Sequence, residues 1–75
     1  MPRRRDPLLR AMGSRVRQLR EAKEWTQEAL AERADLDRSY IAGIETGLRN
    51  PSVKAMSKVA HGLGTSLSEL FRDVA

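Results

Sequence analysis

Thr26-Gln27-Glu28-Ala29-Leu30-Ala31-Glu32-Arg33-Ala34-Asp35-Leu36-Asp37-Arg38-Ser39-Tyr40-Ile41-Ala42-Gly43-Ile44-Glu45 is the stretch that decides how this chain folds. Thr26 is a good N-cap, and Glu28 follows in the first turn, where the helix dipole favours an anion. Leu30, Ala31 and Ala34 give the helix a narrow apolar face of small residues. The helix is predicted to stop near Arg33 or Ala34, because Asp35 tolerates a left-handed backbone and can serve as the turn. Leu36 is apolar again, and Asp37 can cap a second helix that carries Ile41 and Ile44 inward and stops before Gly47.

Outward from this stretch the pattern stays helical. Upstream, Leu9, Met12, Val16 and Leu19 recur at three- and four-residue spacing, one face of an amphipathic helix from about Pro7 to Lys23. Gly13 lies inside it at a cost of about 1 kcal/mol relative to Ala. Arg3–Arg5, flanked by Pro2 and Pro7, read as a flexible basic arm over residues 1–7. Downstream, Leu48 to Pro51 form a loop. Ser52 caps a further helix with Val53, Met56, Val59 or Ala60, and Leu63 inward, ended by Gly62 and Gly64. Thr65 or Ser66 opens a last short helix with Leu67, Leu70 and Phe71. There is no strand pattern, repeat or linker, so residues 8–75 are expected to form one compact all-α domain of five helices.

A chain of 75 residues buries a core worth only about 3–5 kcal/mol net, and a partner subunit could supply the missing stability. Cys is absent, which rules out disulfides and thiolate metal sites and fits a reducing compartment. No apolar run approaches the roughly 18 residues needed to cross a bilayer, and no signal-peptide core follows the basic N-terminus. The expected location is the cytoplasm. The formal charge is +4, unevenly spread. Arg3, Arg4, Arg5, Arg10, Arg15, Arg17, Arg20 and Lys23 face only Asp6 and Glu21 in the first third. Glu24, Glu28, Glu32, Asp35 and Asp37 then dominate, before the balance turns basic again. A basic face on a small chain suits a polyanion, although an ordinary solvated surface has the same composition. The two short helices with their tight turn and small contact residues carry more information: one helix can brace across a DNA backbone while the next lies in the major groove.

The same residues, with Gly47, Arg49, Asn50 and Pro51 after them, resemble the Cro and phage-repressor family of helix-turn-helix proteins, also called the XRE family. The resemblance runs from about Met12 to Phe71. Leu36-Asp37-Arg38-Ser39-Tyr40-Ile41, continuing to Glu45 and Arg49-Asn50, is especially similar to the controller proteins of bacterial restriction-modification systems. The family usually has Gly where Asp35 stands and often where Glu24 stands. The resemblance implies a lambda-repressor-like five-helix domain that binds double-stranded DNA as a homodimer on a palindromic operator and regulates transcription. It implies phosphate contacts from Gln27 and from Arg49, Asn50 and Ser52, and a structural ion pair between Arg20 and Glu45. A contact of Glu28 and Glu32 with RNA polymerase belongs to the same reading. An antitoxin or phage-type repressor of this fold, whose main partner is another protein, is the alternative.

Arg38, Ser39 and Tyr40 form the first exposed turn of the expected reading helix. An Arg there can donate two hydrogen bonds to guanine, Ser39 can reach a base or phosphate, and Tyr40 can meet a thymine methyl. Arg38 could instead pair with Asp35 or Asp37, and Tyr40 could be a packing residue. Ala42 and Gly43 are short where relatives can carry long polar readers. One reading helix covers too few base pairs to discriminate a genome, so a two-fold dimer is expected, with half-sites about 34 Å apart. Leu67, Leu70, Phe71 and Val74 are the expected interface. Trp25 reads as core. His61 has no second ligand at metal spacing, Ser14, Ser39, Ser57 and Ser66 stand outside nucleophile settings, and no phosphate-cradling Gly loop or paired acid site occurs. The pattern points to no enzyme, cofactor, metal or small-molecule ligand.

Overall fold

The computed structural model describes residues 6–74. Among them are five helices and no strand: α1 (Pro7–Ala22), α2 (Gln27–Ala34), α3 (Arg38–Thr46), α4 (Val53–Leu63) and α5 (Leu67–Leu70). The Arg3–Arg5 arm lies outside the described residues. The first helix begins where the spacing predicts, with Pro7 as the first residue of α1. Its missing N–H costs nothing at that position, and the Asp6 carboxylate accepts the Leu8 N–H at 2.8 Å.

Caps set most of the helix ends. Thr26 accepts the Ala29 N–H, Ser52 that of Ala55 and Ser66 that of Glu69, each at 3.0 Å. Asp37 occupies the N-cap of α3, but its side chain makes no capping bond; only its carbonyl accepts, from Tyr40 and Ile41. Asp35 takes the left-handed conformation (φ 57°) that ends α2, and Gly47 (φ 77°) does so for α3. Glu24 is also left-handed, at φ 59°. Asp35 and Glu24 are held in a conformation that favours glycine, at up to roughly 1–2 kcal/mol of backbone strain each.

The helices pack as α1 on α3, α2 on both α3 and α4, and α5 on α4. Val16, Leu30, Ile41, Ile44, Val59 and Leu70 are fully enclosed at the centre. Among the described residues no helix is long and apolar enough to cross a membrane. Two glycines make the packing possible. A Cβ on Gly13 would overlap the Ile44 carbonyl oxygen and crowd the Glu45 carbonyl, so α1 and α3 meet backbone to backbone. Gly62 does not end α4, as the sequence suggested. It lies within the helix, where a Cβ would sit 3.0 Å from the Ala34 backbone nitrogen, and it lets α4 cross the end of α2. Gly64 (φ 73°) is the actual stop.

The C-terminus requires a second correction. Leu70 and Val74, expected at a subunit interface, are buried within the chain. α5 is a single turn, so Leu70 can point only into the core. A left-handed Asp73 (φ 63°) then returns the chain so that Val74 covers the same cluster. Leu67 is half-buried against it, and only Phe71 remains substantially exposed, at 42%.

Gly13→Ala tests the α1–α3 contact against helix propensity. Propensity alone would stabilise the variant by about 1 kcal/mol. The collision with the α3 carbonyls should reverse that sign and cost about 1–3 kcal/mol, read from urea unfolding midpoints.

Candidate nucleic-acid interface

A buried polar network joins the helices that would meet DNA. Arg20 near the end of α1 is only 8% exposed, and its Nε and Nη2 donate to both oxygens of Glu45 on α3, at 2.7 and 3.0 Å. The third arm, Nη1, donates to the Trp25 carbonyl at 2.6 Å. Gln27, at the first position of α2, donates its amide to Glu45 Oε1 at 3.0 Å. All three faces of the guanidinium are therefore occupied, and the carboxylate is fully paired. The hydrogen bond to Glu45 holds the Arg20 pKa above its ordinary value despite its burial. The stability that this raised pKa represents is fully present at neutral pH and falls away in strong alkali, as pH climbs from the ordinary arginine value through the raised one.

This network fixes where α2 starts relative to α3. Gln27 is half-buried, with one N–H of its side-chain amide committed to Glu45 and the second N–H still a donor, beside the backbone amides that every helix leaves unpaired at its start. Trp25 is not enclosed core. It sits in the α1–α2 connection, half-buried, with Arg33 at 4.2 Å and Lys23 at 5.2 Å from the ring centroid.

On α3, Ile41, Ile44 and Glu45 face inward, so Arg38, Ser39 and Thr46 face out. Arg38 has no ion pair among the described residues. Asp35, one of its candidate partners, instead lies 3.9 Å from Lys58, and the Asp37 carboxylate is likewise unpaired. The guanidinium of Arg38 is therefore available. Tyr40 is half-buried, and its ring carries Arg49 stacked at 4.9 Å.

Arg49 is more than a loop residue. A Cβ on Gly43 would lie 2.6 Å from Arg49 Cγ, so the arginine chain rests in the space that Gly43 leaves on the outer face of α3. The loop holds it there, because the N–H groups of Leu48 and Arg49 both donate to the Gly43 carbonyl, at 3.0 and 3.1 Å. The middle of α3 is thus partly covered from the loop. Composition signals this pairing only through Gly43, whose purpose is invisible without the fold. Asn50 lines an apolar groove beside the loop, and the Ser52 oxygen is occupied by the α4 cap. The Ser52 hydroxyl proton and the first amides of α4 remain outward-facing donors. Arg15, which the sequence does not single out, clamps α5 by donating to the Glu69 carbonyl at 2.9 Å and to its carboxylate at 3.3 Å.

A family model described as helix-turn-helix matches residues 16–70. The chain is 44% identical over 63 residues to control protein C.MunI of Mycoplasma sp., covering 83% of this chain and 85% of that protein. It is 42% identical over 59 residues to control protein C.BamHI of Bacillus amyloliquefaciens, covering 77% and 73%. Among solved structures, the restriction-modification controller protein C.AhdI from Aeromonas hydrophila superposes with a TM-score of 0.82 at 46% identity, over 84% of this chain and 96% of that one.

Glu45→Ala would leave the buried Arg20 guanidinium with only the Trp25 carbonyl and, at 4.0 Å, the exposed Glu21 carboxylate for partners. It should cost about 3–5 kcal/mol of unfolding free energy. Gln27→Ala removes one hydrogen bond at a half-buried position and should cost about 1 kcal/mol or less. Equal losses in chemical denaturation would show that the network is not centred on the ion pair.

Proposed function

The chain belongs to the helix-turn-helix family, and from that membership we propose that it is a sequence-specific double-stranded DNA-binding regulator of transcription, acting as a homodimer on a palindromic operator and controlling a restriction-modification operon. The observation that carries the reading is the unpartnered Arg38 beside exposed Ser39 at the start of a helix locked in place by the Arg20–Glu45 pair. A guanidinium presented without an intramolecular partner can form the bidentate contact to guanine O6 and N7.

In this reading α2 braces the duplex through Gln27 and its N-terminal amides, while α3 enters the major groove. Arg38, Ser39 and Tyr40 read bases. Arg49, Asn50 and Ser52 hold phosphates with the start of α4, and Arg49 reaches across Gly43 toward the groove as well. Glu28 and Glu32, both exposed on α2, are the surface offered to RNA polymerase beside a promoter. The protein acts in the cytoplasm on the chromosome.

Two copies are required because one short helix reads too little sequence. With Leu70 enclosed in the core, the dimer face is the apolar groove lined by Leu8, Leu9, Pro51, Val53, Phe71 and the edge of the buried Val74, of about 310 Å³. Leu8, Val53 and Phe71 are 53%, 78% and 42% exposed, more apolar surface than a small monomer needs to leave in water. This face adjoins the Leu48–Ser52 loop, so pairing through it brings the two loops near the operator centre.

Operator selection from a random pool, followed by titration, tests the base reader. Arg38→Ala should lose ten- to hundredfold in preference for the selected site, about 1–3 kcal/mol, while retaining weak salt-sensitive binding. Unchanged preference would remove Arg38 from that role. Sedimentation of Phe71→Asp and Val53→Asp should give monomers. A dimer that survives both substitutions would place the interface elsewhere.

A further inference from the structure

We infer that Arg10, Ser14 and Arg17 of α1 form a second contact with the sugar-phosphate backbone, beside the C-terminal end of the reading helix. This rests on the reading of α3 as the helix that enters the major groove. Ser39, Ala42, Gly43 and Thr46 share the outward face of α3, at three- and four-residue spacing. That face does not end at Thr46. It runs into a shallow groove of about 510 Å³, in which Arg10, Ser14 and Arg17 meet Glu45 and Thr46. The reading face and the cationic stripe of α1 are therefore one continuous surface.

The stripe is held in register by two glycines. Gly13 brings the α1 backbone against the Ile44 and Glu45 carbonyls, and the Arg10 stem lies over Gly47, where a Cβ would sit 2.9 Å from Arg10 Cγ. Both arginines are exposed. They stand seven positions apart on one helix face, about 10 Å along its axis. That span is enough to bridge neighbouring phosphates of one strand. The Ser14 hydroxyl between them can donate to the same oxygens.

The acidic groups nearby do not oppose this. The Glu45 side chain is 2% exposed and saturated by Arg20 and Gln27. Glu21 pairs with Arg17 at 3.1 Å, but both side chains are more than half exposed, and such a pair is worth little enough for a phosphate to displace it. Arg10 has no ion pair among the described residues. Two cations and a hydroxyl, fixed at the edge of a face that would enter the groove, match a phosphate track rather than a base edge. The contact should therefore add affinity without sequence preference.

The test is the salt dependence of binding by the full chain, measured by fluorescence anisotropy with the selected duplex and a scrambled one. Arg10→Gln and Arg17→Gln should each reduce the slope of log affinity against log salt by about one. They should weaken both duplexes several-fold and equally, leaving the preference between them intact. Ser14→Glu should weaken both further. Lys58→Gln removes the same charge from the α2–α4 side and should leave the slope at the wild-type value. Thermal melts followed by circular dichroism show whether each variant folds. If Ser14→Glu does not fold, the two arginine variants decide. Slopes for Arg10→Gln and Arg17→Gln equal to that of Lys58→Gln overturn the inference while leaving the DNA-binding reading intact. A wild-type protein that binds neither duplex overturns both.

Discussion

The pairing of Arg20 with Glu45 is the constraint on which the reading surface depends. Two charges taken out of water are costly unless every donor and acceptor is matched. Here the Trp25 carbonyl and the Gln27 amide complete the match. The four residues lie on α1, on the α1–α2 connection, on α2 and on α3. Satisfying one ion pair therefore sets three helix positions at once. A wholly apolar contact of similar area would tolerate sliding, because hydrophobic burial has no direction, whereas a bidentate guanidinium–carboxylate contact does not. That rigidity is what allows the first turn of α3 to present Arg38 at a defined angle.

Around this pair, close approach is achieved by removing side chains. Gly13 admits the α3 carbonyls, Gly62 admits the end of α2, and Gly43 admits the Arg49 chain. Glycines in helices lower intrinsic stability, and in a chain of this size that loss matters. It is offset by the close contacts they permit, with backbone at Gly13 and Gly62 and with the Arg49 side chain at Gly43, which a larger residue would forbid. Ala31 and Ala34 play the milder version of the same role within α2. The core can then be filled by a few branched side chains, none of them aromatic except for the edges of Trp25 and Tyr40.

The surface divides by chemistry. The outer face of α3 carries the Arg49 chain and runs at Thr46 into the basic stripe of α1. The groove bounded by Leu8, Val53 and Phe71 is apolar. The Leu48–Ser52 loop borders both, since Arg49 lies on the reading helix while Asn50 and Pro51 line the groove. Any partner seated in the groove would contact the segment that carries Arg49.

The sequence by itself determined five helices, the caps at Thr26 and Ser52, and the turn at Asp35. It also singled out Arg38 and Ser39, and its family resemblance implied the Arg20–Glu45 pair. Caps and left-handed stops are legible because their cause is local: a hydroxyl reaching an amide three residues on, or a backbone conformation that few residues accept. The tertiary structure alone decided that Leu70 and Val74 are core and that Gly62 is a crossing rather than a stop. It also decided that Gly13 is a contact rather than a defect, and that Arg49 lies across Gly43. At Gly13 and Gly62 the outcome depends on which distant backbone comes within about 3 Å, and at Gly43 on where a loop side chain comes to rest; periodicity along one helix says nothing about either. An apolar residue at the end of a chain looks the same whether it closes its own core or waits for a partner. For α5, a single turn too short to present two faces settled it.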